Sequence, residues 1–370
     1  MKEKYGKEGE HMKAAIFYGG GVVKIEEVKK PKPGSDEAVV KVAYCGICGS
    51  DRHKYYHGWP FPLVPETRPK RGELKRLKYI PGHEVTGTID ELGSEAKGFK
   101  EGDKVAIYCI NYCGKCYYCK KGLTHYCVDF DKNIMSDHWD GGYAEYVKVP
   151  KKNLLKLPED VSAKLGNLTL DTIGVPYGAF MEVDITKDKS IAIYGCGPIG
   201  LSAIKILNLR DIGNIYAVDI VENKLELAKD FGAKVIINAT KEDPVKLIKD
   251  MTDGLGVDMA FDTSNTVDAF RNAIYSVRKG GYVYPIGEHP SLPLDLSEIF
   301  ISDLLVHRHL GVRGLMYFSI GEHKNIVEML RKGKEDFEKL VTHVYPLEQI
   351  DEGFHTFFED NKSIRVLVKS

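Results

Sequence analysis

Hydrophobic positions change their period along this chain, and the change divides it. Through the first third, "AVVKVAYCGIC", "VTGTIDELG", "DKVAIYC" and "GYAEYVKVP" are short runs of β-branched and apolar residues broken by Gly, Pro and Asp. That is the pattern of strands separated by turns. From Lys187 a short apolar run, a glycine turn and a stretch of helical period succeed one another in "KSIAIYGCGPIGLSAIKILNL". "NIYAVDI" predicts the next strand and "VENKLELAKDFGA" a helix ending at Gly232. "KVIINA", "VDMAFDTS" and "GGYVYPIG" repeat the strand signal, with helical stretches between the first four strands. Such alternation implies a parallel, doubly wound sheet. Beyond about Gly314 come an amphipathic helix, "GEHKNIVEMLRKGK", and a strand-like end, "SIRVLVKS". This tail is too short to fold alone and is expected to return to the first domain. At the other end, Met12 leads into the strand-like "KAAIFYG", so residues 1–11 are expected to be a disordered tail or to reflect an upstream start.

Composition narrows the class. A length of 370 residues exceeds what one core usually organises, so two domains are expected. A hydrophobic fraction of 43% and a net charge of −1 describe a soluble globular protein. They give no electrostatic reason to expect nucleic acid or an anionic membrane as partner. No apolar run is long enough to span a bilayer and the N-terminus is polar, so a cytoplasmic location is expected. In such a compartment eight cysteines, several at x2 spacing, favour metal binding over disulfides.

The segment "GCGPIG" sets Gly195, Gly197 and Gly200 in a G-x-G-x-x-G pattern, after a predicted strand and at the start of a predicted helix. The first glycine permits the tight turn, the second lets backbone N–H groups approach a pyrophosphate, and the third permits close helix–strand packing. Asp219 ends the next strand, where a carboxylate accepts from the adenosine ribose hydroxyls. A 2′-phosphate there meets like charge, so NAD is favoured over NADP. Pro198, Ile199 and Lys224 complete the expected cofactor-binding set.

"YCGKCYYCKKGLTHYC" carries Cys113, Cys116, Cys119 and Cys127, four thiolates for one tetrahedral Zn²⁺. Four thiolates leave no position for water or substrate, so this site is expected to pin a loop and do no chemistry. Cys109 makes the local count five and reads as a buried thiol at a strand end. A quieter constellation is "YCGICGSDRH", with Cys48, Ser50, Asp51 and His53, and "PGHEVTG", with His83 and Glu84. A thiolate and an imidazole are two-thirds of an open catalytic zinc site, which needs three protein ligands and one exchangeable position.

Through "GICGSDRH", "GHEVTG", "CGKCYYCKKGLTHYC", "GGYAEYV" and "GCGPIG" with Asp219, the chain from Met12 onward resembles the zinc-containing medium-chain dehydrogenase/reductase superfamily. The resemblance implies an α/β protein: a GroES-like β-barrel catalytic domain, residues 1–170 and 317–370, and a Rossmann domain with a doubly wound parallel sheet, residues 171–316. It implies two zinc ions per chain. Cys48 and His83 take the places of the first two catalytic ligands, and Glu84 that of a carboxylate beside the metal. Aligning on Tyr177 puts Asp171 in the third ligand position, where alcohol dehydrogenases carry Cys and sorbitol-type enzymes Glu. Asp is also a favoured helix-start residue, which is the competing reading of Asp171. Ser50 and His53 occupy the positions of the family's proton relay.

The resemblance further implies hydride transfer from an alcohol to NAD, with a small-molecule substrate and a homo-oligomer, dimer or tetramer. Cys48 and His83 are separated by an inserted loop, as in butanediol dehydrogenases of this superfamily. Tyr55, Tyr56 and Trp59 are candidates to wall the pocket. The cluster Arg68, Lys70, Arg71, Lys75, Arg76 and Lys78 reads as a solvated charged loop rather than a phosphate site. Threonine dehydrogenases often place a His three residues before the first structural cysteine, where this chain has Ile110. A polyol, sugar or vicinal diol is therefore expected before threonine. A reading from another class, a zinc-ribbon module binding nucleic acid, needs a basic face, yet the ribbon runs into "DFD".

Overall fold

The computed structural model describes residues 9–57, 79–130, 133–264, 266–286 and 302–370. The expectations for Trp59 and the basic cluster of 68–78 lie outside these residues, as does most of the N-terminal tail. His11, expected in that tail, instead opens the strand His11–Gly19, which pairs antiparallel with Val22–Lys29. The chain divides into two compact units, 1–170 with 319–323 and 341–370, and 171–318 with 324–340.

The first unit is built on a seven-stranded sheet. Its spine is Glu37–Gly46, whose residues Ala38, Val39 and Val40 are fully buried. This strand pairs antiparallel with Glu84–Leu92, with Tyr146–Pro150 and with the C-terminal strand Arg365–Lys369. Gly46 lies opposite Glu84 on one side and opposite Leu367 on the other. In this register Cys48, two residues beyond the strand end, is brought to the residues just before Glu84, and Arg365 arrives from the far end of the chain.

The second unit carries a six-stranded parallel sheet in the order Val235–Asn238, Asn214–Asp219, Ser190–Tyr194, Val257–Asp262, Val277–Pro285, Gly311–Val312. Numbered along the chain this is 3-2-1-4-5-6, the doubly wound dinucleotide-binding order. The central strand is apolar on both faces, with Ile191, Ala192 and Ile193 fully buried, because helices cover a parallel sheet from both sides. The sixth strand, of two residues, was not anticipated from the sequence.

The tail is divided. Strands Val341–Pro346 and Arg365–Lys369 belong to the first unit, but the helices His323–Lys332 and Lys334–Leu340 lie almost wholly in the second. Phe337 and Leu340 are fully buried beside the helix Pro198–Leu209, and Lys205 Nζ stands 2.6 Å from Asp336 Oδ2. An amphipathic helix goes to whichever apolar surface its stripe matches, so the expected grouping of the whole of 317–370 with the first domain fails for 317–318 and 324–340.

Candidate active site

The glycine turn forms as its spacing requires. Gly195 has φ +92°, and a Cβ on it would come within 2.9 Å of the Ser264 backbone. A Cβ on Gly200 would lie 1.8 Å from the Gly195 carbonyl oxygen, so helix and turn touch there. A Cβ on Gly197 would meet nothing within 4 Å, which leaves its backbone open to a ligand. Gly197 is the N-cap of Pro198–Leu209, and Pro198 and Ile199 are half-buried in the first turn. N–H groups of that turn have no partner within the helix and favour an anion.

Asp219 sits beside this turn. Its Oδ2 accepts from Cys196 N at 2.6 Å, and its Oδ1 accepts from Ile220 N at 2.7 Å and Val221 N at 2.9 Å. Burial pushes the Cys196 thiol pKa up, and Asp219 adds to this while Lys224 opposes it, so both charges act on the turn. A second carboxylate, Glu222, was not singled out from the sequence. Its Oε2 accepts from Lys241 Nζ at 2.7 Å and from Asn238 Nδ2 at 2.9 Å.

Cys113, Cys116, Cys119 and Cys127 converge, with all four Sγ atoms within 4.8 Å of one another. Sulfurs at about 2.3 Å from a tetrahedral zinc stand about 3.8 Å apart; Cys113 and Cys119 Sγ are 3.9 Å apart. Backbone N–H groups of Cys116, Cys113 and Asp129 point at the sulfurs of Cys113 and Cys127 over 3.2–3.5 Å. Such donors favour thiolate, and N–H groups of Cys119 and Val128 draw the Cys116 pKa down to about 6. Burial acts the other way on Cys119 and pushes it up to about 12. None of the eight cysteines is joined in a disulfide, and Cys109 is buried outside the group. The donor set fits a closed four-thiolate zinc site.

The scattered set also converges: Cys48, His83, Glu84 and Asp171 each offer a ligand atom within 4.8 Å of the others. Cys48 follows the spine strand, and His83 and Glu84 open the strand that pairs with it. Asp171 is the first residue of the helix Asp171–Met181. Asn167, four residues before it, donates from Nδ2 to the Glu84 carbonyl at 2.7 Å. A soft thiolate, an imidazole and buried carboxylates make a donor set suited to zinc.

Glu84 has a second engagement that sequence reasoning missed. Its Oε2 pairs with the Arg365 guanidinium, both side chains being buried. Arg365 also donates from Nη1 to Ile47 O at 2.9 Å and from Nη2 to Asn167 Oδ1 at 3.1 Å. Arg365 so holds one Glu84 oxygen, while Cys48, His83, Asp171 and the carboxylate of Glu84 remain within one donor group. Ser50 is half-buried next to Asp51, and His53 is half-buried on the helix Asp51–His57. Tyr55 lies in the core of the first unit. It is 1% exposed, stacks on Phe354 at 4.8 Å and donates to Asp351 Oδ1 at 2.7 Å. Tyr56 is half-buried and packs edge-on against Tyr55.

Comparison with known proteins finds matches in both halves of the chain. Residues 34–159 match the alcohol dehydrogenase GroES-like domain, and residues 198–332 match the zinc-binding dehydrogenase domain. The chain is 32% identical over 360 residues to sorbitol dehydrogenase of Bacillus subtilis, covering 97% of each chain. It is 32% identical over 341 residues to L-threonine 3-dehydrogenase of Caldanaerobacter subterraneus, covering 90% of this chain and 91% of that one. An Escherichia coli alcohol dehydrogenase solved with NADH superimposes with a TM-score of 0.81 at 26% identity, over 98% of this chain and 100% of that one. The chain belongs to the zinc-containing medium-chain dehydrogenase/reductase superfamily. It is an oxidoreductase of the zinc-dependent alcohol dehydrogenase family, with a GroES-like and a Rossmann domain. Matches in both halves leave no place for a zinc-ribbon module alone. Among the described residues no helix is long and apolar enough to cross a membrane.

Proposed function

We propose that this enzyme oxidises a secondary alcohol of a polyol, sugar or vicinal diol, with NAD as hydride acceptor and two zinc ions per chain. The observation that carries the reading is the gathering of Cys48, His83 and Asp171 into one donor set, beside a Glu84 already engaged by Arg365. Zinc held by these residues would supply Lewis acidity, lowering the pKa of an oxygen ligand from that of bulk water toward about 7. The chain's own residues do the rest. Cys48, His83 and Asp171 hold the metal, and the Gly195–Gly200 turn binds the pyrophosphate. Asp219 accepts from the adenosine ribose. Ser50 and His53 pass the substrate proton outward.

Preference for NAD over NADP is supported by two carboxylates, Asp219 at the strand end and Glu222 opening the next helix. The threonine reading is favoured by relatives at 30–32% identity and opposed by Ile110, a fully buried aliphatic residue. A dimer or tetramer in the cytoplasm is the setting we infer.

A panel of polyols, vicinal diols, aldoses and threonine, followed by NADH absorbance with NAD and NADP in parallel, tests the reading. Turnover of a polyol or diol, at least tenfold more efficient with NAD, is the expected result. Turnover of threonine alone, or silence across the panel, overturns the substrate class.

A further inference from the structure

Lys54 is a lysine with only 3% of its surface exposed, on the helix that follows Cys48. Nothing in its sequence context flags it. A lysine so buried is costly unless its charge is met, and here three groups meet it. Its Nζ stands 2.7 Å from Asp137 Oδ1, donates to Ser136 Oγ at 2.8 Å, and lies 3.7 Å from Asp51 Oδ1. Burial alone would lower its pKa, but the Asp137 and Asp51 carboxylates outweigh burial and keep it protonated.

Two of these partners lead to the metal-binding set from different sides. Asp51 is fully buried. Its Oδ2 accepts from the Cys48 backbone N–H at 3.1 Å and from the Tyr143 hydroxyl at 2.6 Å, while its Oδ1 stands 3.8 Å from His83 Nδ1. Ser136 is fully buried too and holds φ at +74°, a conformation that costs a non-glycine residue on the order of 1–3 kcal/mol. In that conformation its Oγ accepts from Lys54 and also from the backbone N–H of Gly82, at 3.0 Å, the residue before His83. The ammonium therefore stands at the join of two supports, one reaching Cys48 and His83 through Asp51, the other reaching His83 through Gly82.

We propose that Lys54 is a positioning residue for the metal: by bridging Asp51, Ser136 and Asp137 it fixes the Cys48 and His83 donors in their coordinating geometry. The proposal rests on the reading of Cys48, His83 and Asp171 as metal ligands. Without the ammonium, Asp51 is left as a buried carboxylate without its cation and must turn away from its present place. That movement loosens the Cys48 N–H and the group facing His83 Nδ1, and Ser136 loses one of the two donors that hold its strained backbone. Partners behind metal ligands set affinity by about 10–100-fold.

The test is zinc release from the purified holoenzyme to a chromogenic chelator, for wild type, K54M, K54R, D137N and C48S. Wild type should release zinc in two phases, one of them missing from C48S. K54M should speed that same phase about 10–100-fold and leave the four-thiolate phase alone, with K54R restoring part of the difference. D137N, whose side chain is nearer the surface, should speed it less and serves if K54M does not fold. Release from K54M and D137N at wild-type rates, with one phase absent from C48S, overturns the proposal. Equal acceleration of both phases also overturns it, since a merely structural role would do that. A C48S protein that still holds two zinc ions refutes the metal reading itself, and the proposal with it.

Discussion

Replacing Arg365 by methionine probes the site through stability, without any assumption about substrate. The guanidinium and the Glu84 carboxylate are 3% and 0% exposed. Methionine keeps much of the apolar volume but none of the three polar contacts, to Glu84, Ile47 O and Asn167 Oδ1. Removing one partner of a buried pair costs about 3–5 kcal/mol, because the other charge stays buried without compensation. The lost hydrogen bonds are part of that cost, since the same desolvated groups make them. In a unit of this size 1 kcal/mol shifts Tm by about 2–4 °C, so a fall of about 6–20 °C is expected. Glu84→Gln strands the opposite charge and should cost a similar amount. The double variant strands neither, so it should lose less than the two singles together by about 2 kcal/mol or more. Urea denaturation followed by circular dichroism, with calorimetry for Tm, measures all four proteins. Losses that add to within about 0.5 kcal/mol would show that the pair is not coupled, and a single-variant loss below about 1 kcal/mol would refute the argument.

Three other outcomes are expected. Gly200→Ala puts a Cβ 1.8 Å from the Gly195 carbonyl and must open the turn, so NADH should bind at least about tenfold more weakly in a fluorescence titration, a loss of about 1.4 kcal/mol. Zinc content should not change. His323 is buried against the Thr169 hydroxyl, at 2.9 Å, and burial lowers its pKa to about 4. The unfolded chain takes up that proton near pH 6.5 and the folded chain only near 4, so stability falls as pH drops through this window. The loss is about 2–3 kcal/mol by about pH 4.5, and His323→Gln should flatten it. Parallel pH–stability curves for the two proteins would contradict the assignment. His53→Gln should slow turnover toward low pH with zinc content unchanged, and an unaltered pH–rate profile removes His53 from the proton path.

How much of this was legible in the sequence depended on whether the chemistry was local. Gly195, Gly197 and Gly200 sit in one turn between a strand and a helix, so their spacing already states their geometry. Cys113 to Cys127 likewise close within one loop. Cys48, His83 and Asp171 meet only because Gly46 pairs with Glu84 across two strands and Asn167 bonds the Glu84 carbonyl. Residue spacing does not encode that pairing, and only the family resemblance brought the three together. Arg365 and Lys54 had no signal. A basic residue opening the last strand or lying on a polar helix reads as surface, and burial is decided by partners far away in the chain. The division of the tail failed for a similar reason: the stripe of 323–340 declares that it will be buried, but not against which unit.

If the conspicuous cysteines only clip a loop while the scattered residues carry the chemistry, the two zinc sites must differ in what their loss does. Zinc per chain, measured by mass spectrometry alongside turnover for wild type, Cys48→Ala and Cys116→Ala, tests this most directly. Two zinc ions are expected in wild type. One is expected in Cys48→Ala with turnover abolished, and one in Cys116→Ala with turnover surviving in whatever protein stays folded. A Cys48→Ala protein that keeps two zinc ions, or that turns over substrate with one, would contradict this division of labour.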